Sequence, residues 1–130
     1  MSRRTGKRTF ALTGVYAVAA GPVVGDMEGK GPFGPYYDRV LKDDLFGEKT
    51  WEKAESKMFQ FAVDKAIEKA GLMTGDVDCL IGGDLLNQII SSSFAARELH
   101  LPYLGIYGAC STFSEATLLG GLLIDSRSMD

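Results

Sequence analysis

Histidine and cysteine are scarce in this sequence. Its 130 residues include one histidine, His100, and two cysteines, Cys79 and Cys110. The cysteines are separated by 30 intervening residues and neither belongs to a CxxC pair, so we expect reduced thiols, as in a cytosolic protein, rather than a disulfide framework. His100 has no neighbouring metal-ligand partner in the sequence. We therefore expect no metal site formed by these residues.

Long apolar runs are also missing. A membrane-spanning helix needs about 20 consecutive apolar residues, and no stretch of this chain approaches that length. The apolar N-terminal segment is interrupted by Thr13 and Gly14 and alternates bulky residues, which favours a strand over residues 9–18. A short secretory signal peptide with its cleavage site at residues 17–21 is the alternative.

There is no excess of positive charge. The formal net charge is -3, which gives no electrostatic basis for nucleic-acid binding. The basic cluster lies at the extreme N-terminus, and we predict that residues 1–8 form a solvent-exposed basic tail; the cluster consists of Arg3, Arg4, Lys7 and Arg8. Contact of this tail with anionic lipid or with a partner is the alternative.

The remaining composition is that of a globular domain. Hydrophobic residues make up 45% of the chain and charged residues 24%, and the length is sufficient for one domain with a core. Residues 21–46 are a long excursion rich in glycine and proline. We expect it to cover an active-site mouth or an interface, with Phe33, Tyr36 and Tyr37 available as anchors.

The clearest predicted helix follows this excursion. Thr50 is its expected N-cap, Glu52 lies in its first turn and Gly71 closes it. Apolar residues recur at helical spacing and predict a packed face, which consists of Trp51, Ala54, Met58, Phe61, Ala62, Ala66 and Ile67. The charged residues predict a solvent-exposed face, which consists of Lys53, Glu55, Lys57, Asp64, Lys65, Glu68 and Lys69.

Residues 101–112, LPYLGIYGACST, carry the strongest chemical signal. The apolar run that follows Pro102 predicts a buried strand, and a tight turn at Gly108 and Ala109 then presents Cys110. Residues 111–124 predict a helix buried on most of its surface. Cys110 would thus lie at a helix N-terminus, where unpaired amides stabilise a thiolate or an oxyanion. The alternative is an inert cysteine that fills a small apolar space.

A second polar group follows a short strand that is predicted over residues 77–82. Asp84, Asn87 and Gln88 lie after the carboxyl end of that strand, which is where open α/β sheets place their ligands. We therefore predict that they contribute to ligand binding, with loop solvation and capping as the alternative. The helix that follows is predicted to have Ser91 or Ser92 as its N-cap.

The order of these elements predicts the fold class. Three strands are each followed by a helix, and helices between successive strands imply right-handed crossovers. We predict an α/β fold with a mainly parallel sheet, in which residues 9–130 form one domain.

Two motifs resemble those of one family. The sequence GDLLNQ at residues 83–88, followed by GACST at residues 108–112, resembles the stage V sporulation protein AD family of endospore-forming bacteria. The segments KTWEKAE at residues 49–55 and VDCLIGGD at residues 77–84 fit the same family. The resemblance extends from residue 6 to about residue 125. It implies a thiolase-like fold, of which this chain would be an incomplete N-terminal portion, a partial half-domain.

The resemblance also implies a function. Members of this family bind dipicolinic acid or its calcium complex and support its uptake into the developing spore, together with membrane-embedded proteins of the same operon. It implies a homo-oligomer, synthesised in the cytoplasm and peripheral at the spore inner membrane. The ligand-binding residues at the elbow would be Cys110, Ser111 and Thr112, and the amides of Ser111 and Thr112 would receive a carboxylate. If Asp84 lines the pocket, its charge requires either bound calcium or a protonated form.

Two other functions compete with this one. The related thiolase-like acyltransferases are acylated by a coenzyme A thioester at the elbow cysteine, which corresponds to Cys110. This chain offers no histidine except His100 as a base, so we expect no turnover. The third reading is an interaction module in which Cys110 is inert.

Overall fold

The computed structural model of the chain describes residues 3–86 and 89–130. These residues form four α-helices and three separate two-stranded sheets. The predicted α/β class is therefore confirmed. A single, mainly parallel sheet does not form. The strands instead pair two by two, and two of the three pairs are parallel.

The N-terminal residues form an antiparallel hairpin. Strand β1 (Arg3–Gly6) pairs with β2 (Thr9–Ala11). The basic segment is exposed as expected, but residues 3–6 are a strand rather than a tail. The strand predicted over residues 9–18 ends at residue 11, and the chain is then held by the backbone N–H of Thr13, which donates to Asp125 Oδ1 at 3.2 Å.

The excursion contains short regular elements. Strand β3 (Val23–Val24), helix α1 (Asp26–Gly29), a 3₁₀ turn at Gly34–Tyr36 and strand β4 (Arg39–Val40) follow one another, and β3 pairs with β4 in parallel. Its expected aromatic anchors are only partly used. Phe33 and Tyr36 are exposed, whereas Tyr37 is half-buried and donates to Glu28 Oε1 at 2.7 Å.

Helix α2 (Trp51–Ala70) has the ends that were predicted. Thr50 Oγ1 accepts from the Lys53 N–H at 3.3 Å, and Gly71 closes the helix with a φ of 70°, a conformation that glycine adopts without strain. The excursion packs on this helix. The Lys69 Nζ lies 2.9 Å from Asp38 Oδ2, and Gly21 approaches the helix backbone so closely that a side chain there would overlap the Ala62 carbonyl.

The two faces of α2 are less distinct than predicted. Trp51 is 62% exposed, although it was assigned to the packed face. Glu55 and Lys57, assigned to the solvent face, are half-buried. Lys57 Nζ donates to the Phe46 carbonyl at 2.9 Å, because the loop before α2 folds back over this turn of the helix.

A strand–helix–strand unit follows α2. Strand β5 (Leu80–Gly82), helix α3 (Ile90–Leu99) and strand β6 (Tyr103–Gly105) succeed one another. The two strands pair in parallel from Leu80 opposite Tyr103 to Gly82 opposite Gly105. Helix α2 packs across α3, and the small side chains Ala54, Ala95 and Ala96 are buried there.

The predicted serine N-cap of α3 is wrong. The residue before the helix is Ile89, with a φ of 67°, and its side chain caps nothing. Ser91 and Ser92 lie inside the first turn instead. Their amides are bound by a side chain from outside the helix, the carboxylate of Asp84.

Helix α4 (Thr112–Asp125) begins one residue later than predicted, and its expected burial is wrong. Only Gly121 is buried, against Leu12, while Phe113 is 81% exposed. Among the described elements, α4 contacts mainly β5 and the preceding turn, so one side of it is covered. No helix of the described residues is both long and apolar enough to cross a membrane.

Candidate functional site

The two motif segments meet at one edge of the β5–β6 pair. Both strands run in the same direction, and the Ile106 N–H donates to the Gly82 carbonyl at 2.9 Å. Gly83 lies directly beneath the turn that follows β6. A Cβ on Gly83 would overlap the Ile106 carbonyl and would lie 3.4 Å from Thr112 Cγ2. Asp84 therefore follows the carboxyl end of β5, as predicted, and β6 ends beside it.

Cys110 lies in a tight turn between β6 and α4. A single 3₁₀ turn, Ala109–Ser111, joins the loop to the helix. Ala109 has a φ of 48°, a left-handed conformation that costs free energy for a residue with a Cβ. The turn leaves the Cys110 side chain exposed, immediately before a helix of 14 residues. The strand-to-helix elbow is thus present, in a strained form.

Hydrogen bonds within the turn already use the amides that were expected to bind a carboxylate. The Ser111 N–H donates to the Gly108 carbonyl at 2.9 Å, and the Thr112 N–H donates to the Ala109 carbonyl. Thr112 Oγ1 accepts from the Gly108 N–H at 3.1 Å. An incoming carboxylate would therefore have to compete with the carbonyl groups of this turn.

Glu115 is a residue of the elbow that sequence reasoning missed. Ser111 Oγ lies 2.6 Å from Glu115 Oε1 and 2.9 Å from the Gly108 carbonyl oxygen, so its proton is shared between two acceptors. The sequence contained the signal, since a Ser and a Glu four residues apart lie on the same face of a helix. This carboxylate places a negative charge at the N-terminus of α4, in contact with the residue that follows Cys110.

Asp84 is not exposed at the site. It is only 1% exposed, and its two carboxylate oxygens accept from the backbone N–H groups of Ser91 at 2.7 Å and Ser92 at 2.6 Å. This is the capping arrangement that was the alternative to ligand binding. The other two polar residues of this motif, Asn87 and Gln88, lie outside the described residues.

Tyr103 lies between the two segments. Its hydroxyl donates to the Gly82 carbonyl at 3.0 Å and is 2.6 Å from Ser92 Oγ. Burial raises the pKa of Tyr103, the hydrogen bond with Ser92 lowers it, and the negative charge of Asp84 raises it again, with a net increase. The phenol is therefore held neutral, as a structural link between β5, β6 and α3.

Glu55 supports the start of the loop that carries the first motif. Its Oε1 accepts from the backbone N–H groups of Leu85 at 2.7 Å and Leu86 at 3.3 Å. The sequence offered no signal for this contact, because Leu85 lies 30 positions after Glu55.

The reactive group at the elbow is the exposed thiol of Cys110. His100 closes α3 before β6 begins, whereas Cys110 follows the end of β6, so the histidine and the thiol lie beyond opposite ends of that strand. Within the part of the chain that the structure describes, no group of three His, Cys, Asp or Glu side chains is placed to hold a metal ion.

Comparison with known proteins gives two matches. A family model described as Stage V sporulation protein AD matches residues 6–130. The curated stage V sporulation protein AD of Bacillus subtilis (strain 168) is 36% identical over 122 residues, which are 93% of this chain and 36% of the relative. The chain therefore spans little more than a third of the length of that relative.

Proposed function

Because the chain belongs to the stage V sporulation protein AD family, we propose that it acts in sporulation as a binding protein for dipicolinic acid or its calcium complex. The observation that carries this proposal is the meeting of the two family motifs. Gly83 packs beneath Thr112, so both motifs contribute to one edge of the β5–β6 pair. The finer fold proposed with it is a partial thiolase-like half-domain.

The charges at the elbow favour the calcium complex over the free dianion. Glu115 lies at the elbow, and its carboxylate repels a ligand that carries two carboxylates. Calcium prefers several oxygen ligands, and Glu115 alone supplies too few. In this proposal calcium arrives as cargo bound to dipicolinate, and Glu115 contributes one outer oxygen. Asp84 takes no part in contacting the ligand, because its oxygens bind two amides.

Delivery to the spore requires other components. We place the protein peripherally at the spore inner membrane, where membrane-embedded proteins of the same operon carry the ligand across. A homo-oligomer would give several elbows in one assembly. We propose these partners on the basis of the sporulation role of the family.

Native intact-mass spectra of the chain test the proposal. We expect a non-covalent adduct with dipicolinate plus calcium, a weaker one with dipicolinate alone, and loss of this calcium preference in Glu115→Gln. Ser114→Ala, an exposed serine of the same helix, is the matched control and should bind as the parent does. Absence of any adduct, or equal adducts with and without calcium, would refute the proposed ligand form.

One observation favours a second candidate, an acyltransferase. Cys110 is exposed at a strained elbow before α4, a setting that suits a nucleophile. Incubation with a short acyl-CoA thioester would then give a covalent adduct that Cys110→Ala loses. We expect no steady-state turnover, because His100 lies beyond the opposite end of β6. If neither adduct forms and Cys110→Ala changes nothing, the inert interaction module is the better description.

A further inference from the structure

Helices α2 and α3 enclose a groove away from the elbow. Its volume is about 720 Å³, within the range of about 300–1,000 Å³ that is typical of small-molecule sites. Residues of α2, of the loop before it and of α3 line this groove, and residues 108–112 do not. We refer to it as the α2–α3 groove.

One residue of the groove lining has a buried hydroxyl without a partner among the described residues. Ser91 is 2% exposed and lines the groove, and its Oγ has no hydrogen-bond partner among the described residues. Its neighbour Ser92 is equally buried, but Ser92 Oγ is bound to the Tyr103 hydroxyl. Burying an unpaired hydroxyl costs free energy. Ser91 Oγ is thus an unpaired polar atom on a residue that lines the groove.

The surface of the lining consists mainly of carbon atoms, although most of the residues that supply it are polar or charged. Ile90 and Phe94 of α3 are partly exposed at the groove. The Arg97 guanidinium carbon lies 4.9 Å from the centre of the Phe94 ring. On the α2 side, Gln60 Nε2 donates to Ser56 Oγ at 3.3 Å. The aliphatic carbons of the polar and charged side chains, together with Ile90 and Phe94, therefore present apolar surface to a ligand.

The charged residues at the groove balance one another. Lys57 Nζ lies 3.0 Å from Glu48 Oε1, and Arg97 Nη2 lies 2.8 Å from Glu98 Oε1. The two remaining charged residues of the lining, Glu52 and Lys53, have opposite signs. The lining therefore has no net charge, and it offers no advantage to a strongly anionic or cationic ligand.

We propose that the α2–α3 groove binds a small, uncharged, mainly apolar molecule whose one hydrogen-bonding group reaches Ser91 Oγ. This site is separate from the elbow and takes a ligand of different charge from dipicolinate. It does not depend on the function proposed for the elbow.

Three probe compounds of similar size test this proposal by amide NMR shifts of the whole chain. Benzamide is uncharged with a hydrogen-bonding group, benzoate is its anionic counterpart, and toluene lacks the polar group. We expect benzamide to shift amides of α2 and α3 most strongly. Ser91→Ala should raise the dissociation constant for benzamide about fivefold, the equivalent of one neutral hydrogen bond, and leave that for toluene unchanged.

Ser92→Ala is the matched control. It removes a neighbouring buried hydroxyl that does not line the groove, so it should leave benzamide binding unchanged. Ser91→Ala removes no hydrogen bond of the side chain, so its urea midpoint should not fall below that of the parent. Tighter binding of benzoate than of benzamide, an unchanged benzamide affinity in Ser91→Ala, or shifts confined to residues 108–112 would each overturn the proposal. Absence of shifts with benzamide would do the same.

Discussion

Asp84 and Ser92 are joined by a buried hydrogen bond of 2.6 Å between Asp84 Oδ1 and the backbone N–H of Ser92. The other carboxylate oxygen accepts from the Ser91 N–H at 2.7 Å, so one side chain binds two amides of the first turn of α3. A helix N-terminus favours a negative charge. The aspartate of the first motif therefore holds α3 at the end of β5, which places the motif beneath the elbow.

Replacement of Asp84 tests this role directly. We expect Asp84→Ala to lower the free energy of unfolding by about 2–4 kcal/mol, because two buried amides lose a charged acceptor. Asp64→Ala, at an exposed position of α2, is the control and should change it by less than about 0.5 kcal/mol. Urea denaturation followed by circular dichroism measures both. A loss for Asp84→Ala no larger than that of the control would contradict the capping role.

Tyr103 should titrate abnormally. Since burial raises the pKa of its phenol in the folded state, the fold favours the neutral form. Its contribution to stability is therefore complete below the unfolded-state pKa of about 10 and is lost as pH rises through the folded-state pKa. The absorbance of the parent and of Tyr103→Phe is titrated with base, and the second curve is subtracted from the first. The difference should show one tyrosine that ionises above pH 10. A difference transition centred at or below pH 10 would show that the folded chain does not hold this phenol neutral.

Gly83 should tolerate no side chain. The Cβ of Gly83→Ala would overlap the Ile106 carbonyl, so β5 and the elbow would have to separate. We expect a loss of about 1–3 kcal/mol in the free energy of unfolding, which is typical of overpacking. Gly25→Ala is the control, since a Cβ there meets nothing within 4 Å. Equal urea midpoints for the two variants would argue against the close approach of the motifs.

Ala109 is expected to be better replaced by glycine. A φ of 48° costs a residue with a Cβ about 1–2 kcal/mol, and glycine avoids this cost while losing about 0.5–1 kcal/mol to unfolded-state entropy. Ala109→Gly should therefore raise the free energy of unfolding by about 0.5–1 kcal/mol. Ala116→Gly, inside α4, should instead lower it by about 1 kcal/mol. If both changes lowered it alike, the elbow would not be strained at this residue.

The sequence by itself determined the features that depend on neighbouring residues. The ends of α2 follow from Thr50 and Gly71, because an N-cap hydroxyl and a left-handed glycine act within one turn of the helix. The position of Cys110 between a strand and a helix follows from the apolar run and the small side chains within residues 101–112. The family follows from residues 83–88 and 108–112, which are two local motifs.

Tertiary structure decided the features that depend on distant residues. Glu55 binds amides about 30 positions away, and Asp84 replaces the expected serine caps of α3 from outside that helix. Strand pairing is likewise set by contacts between segments, which is why residues 3–6 pair with β2 and the predicted single sheet does not form. The partner of a hydrogen-bonding group depends on which groups the fold brings close, and local patterns of residues do not reveal that proximity.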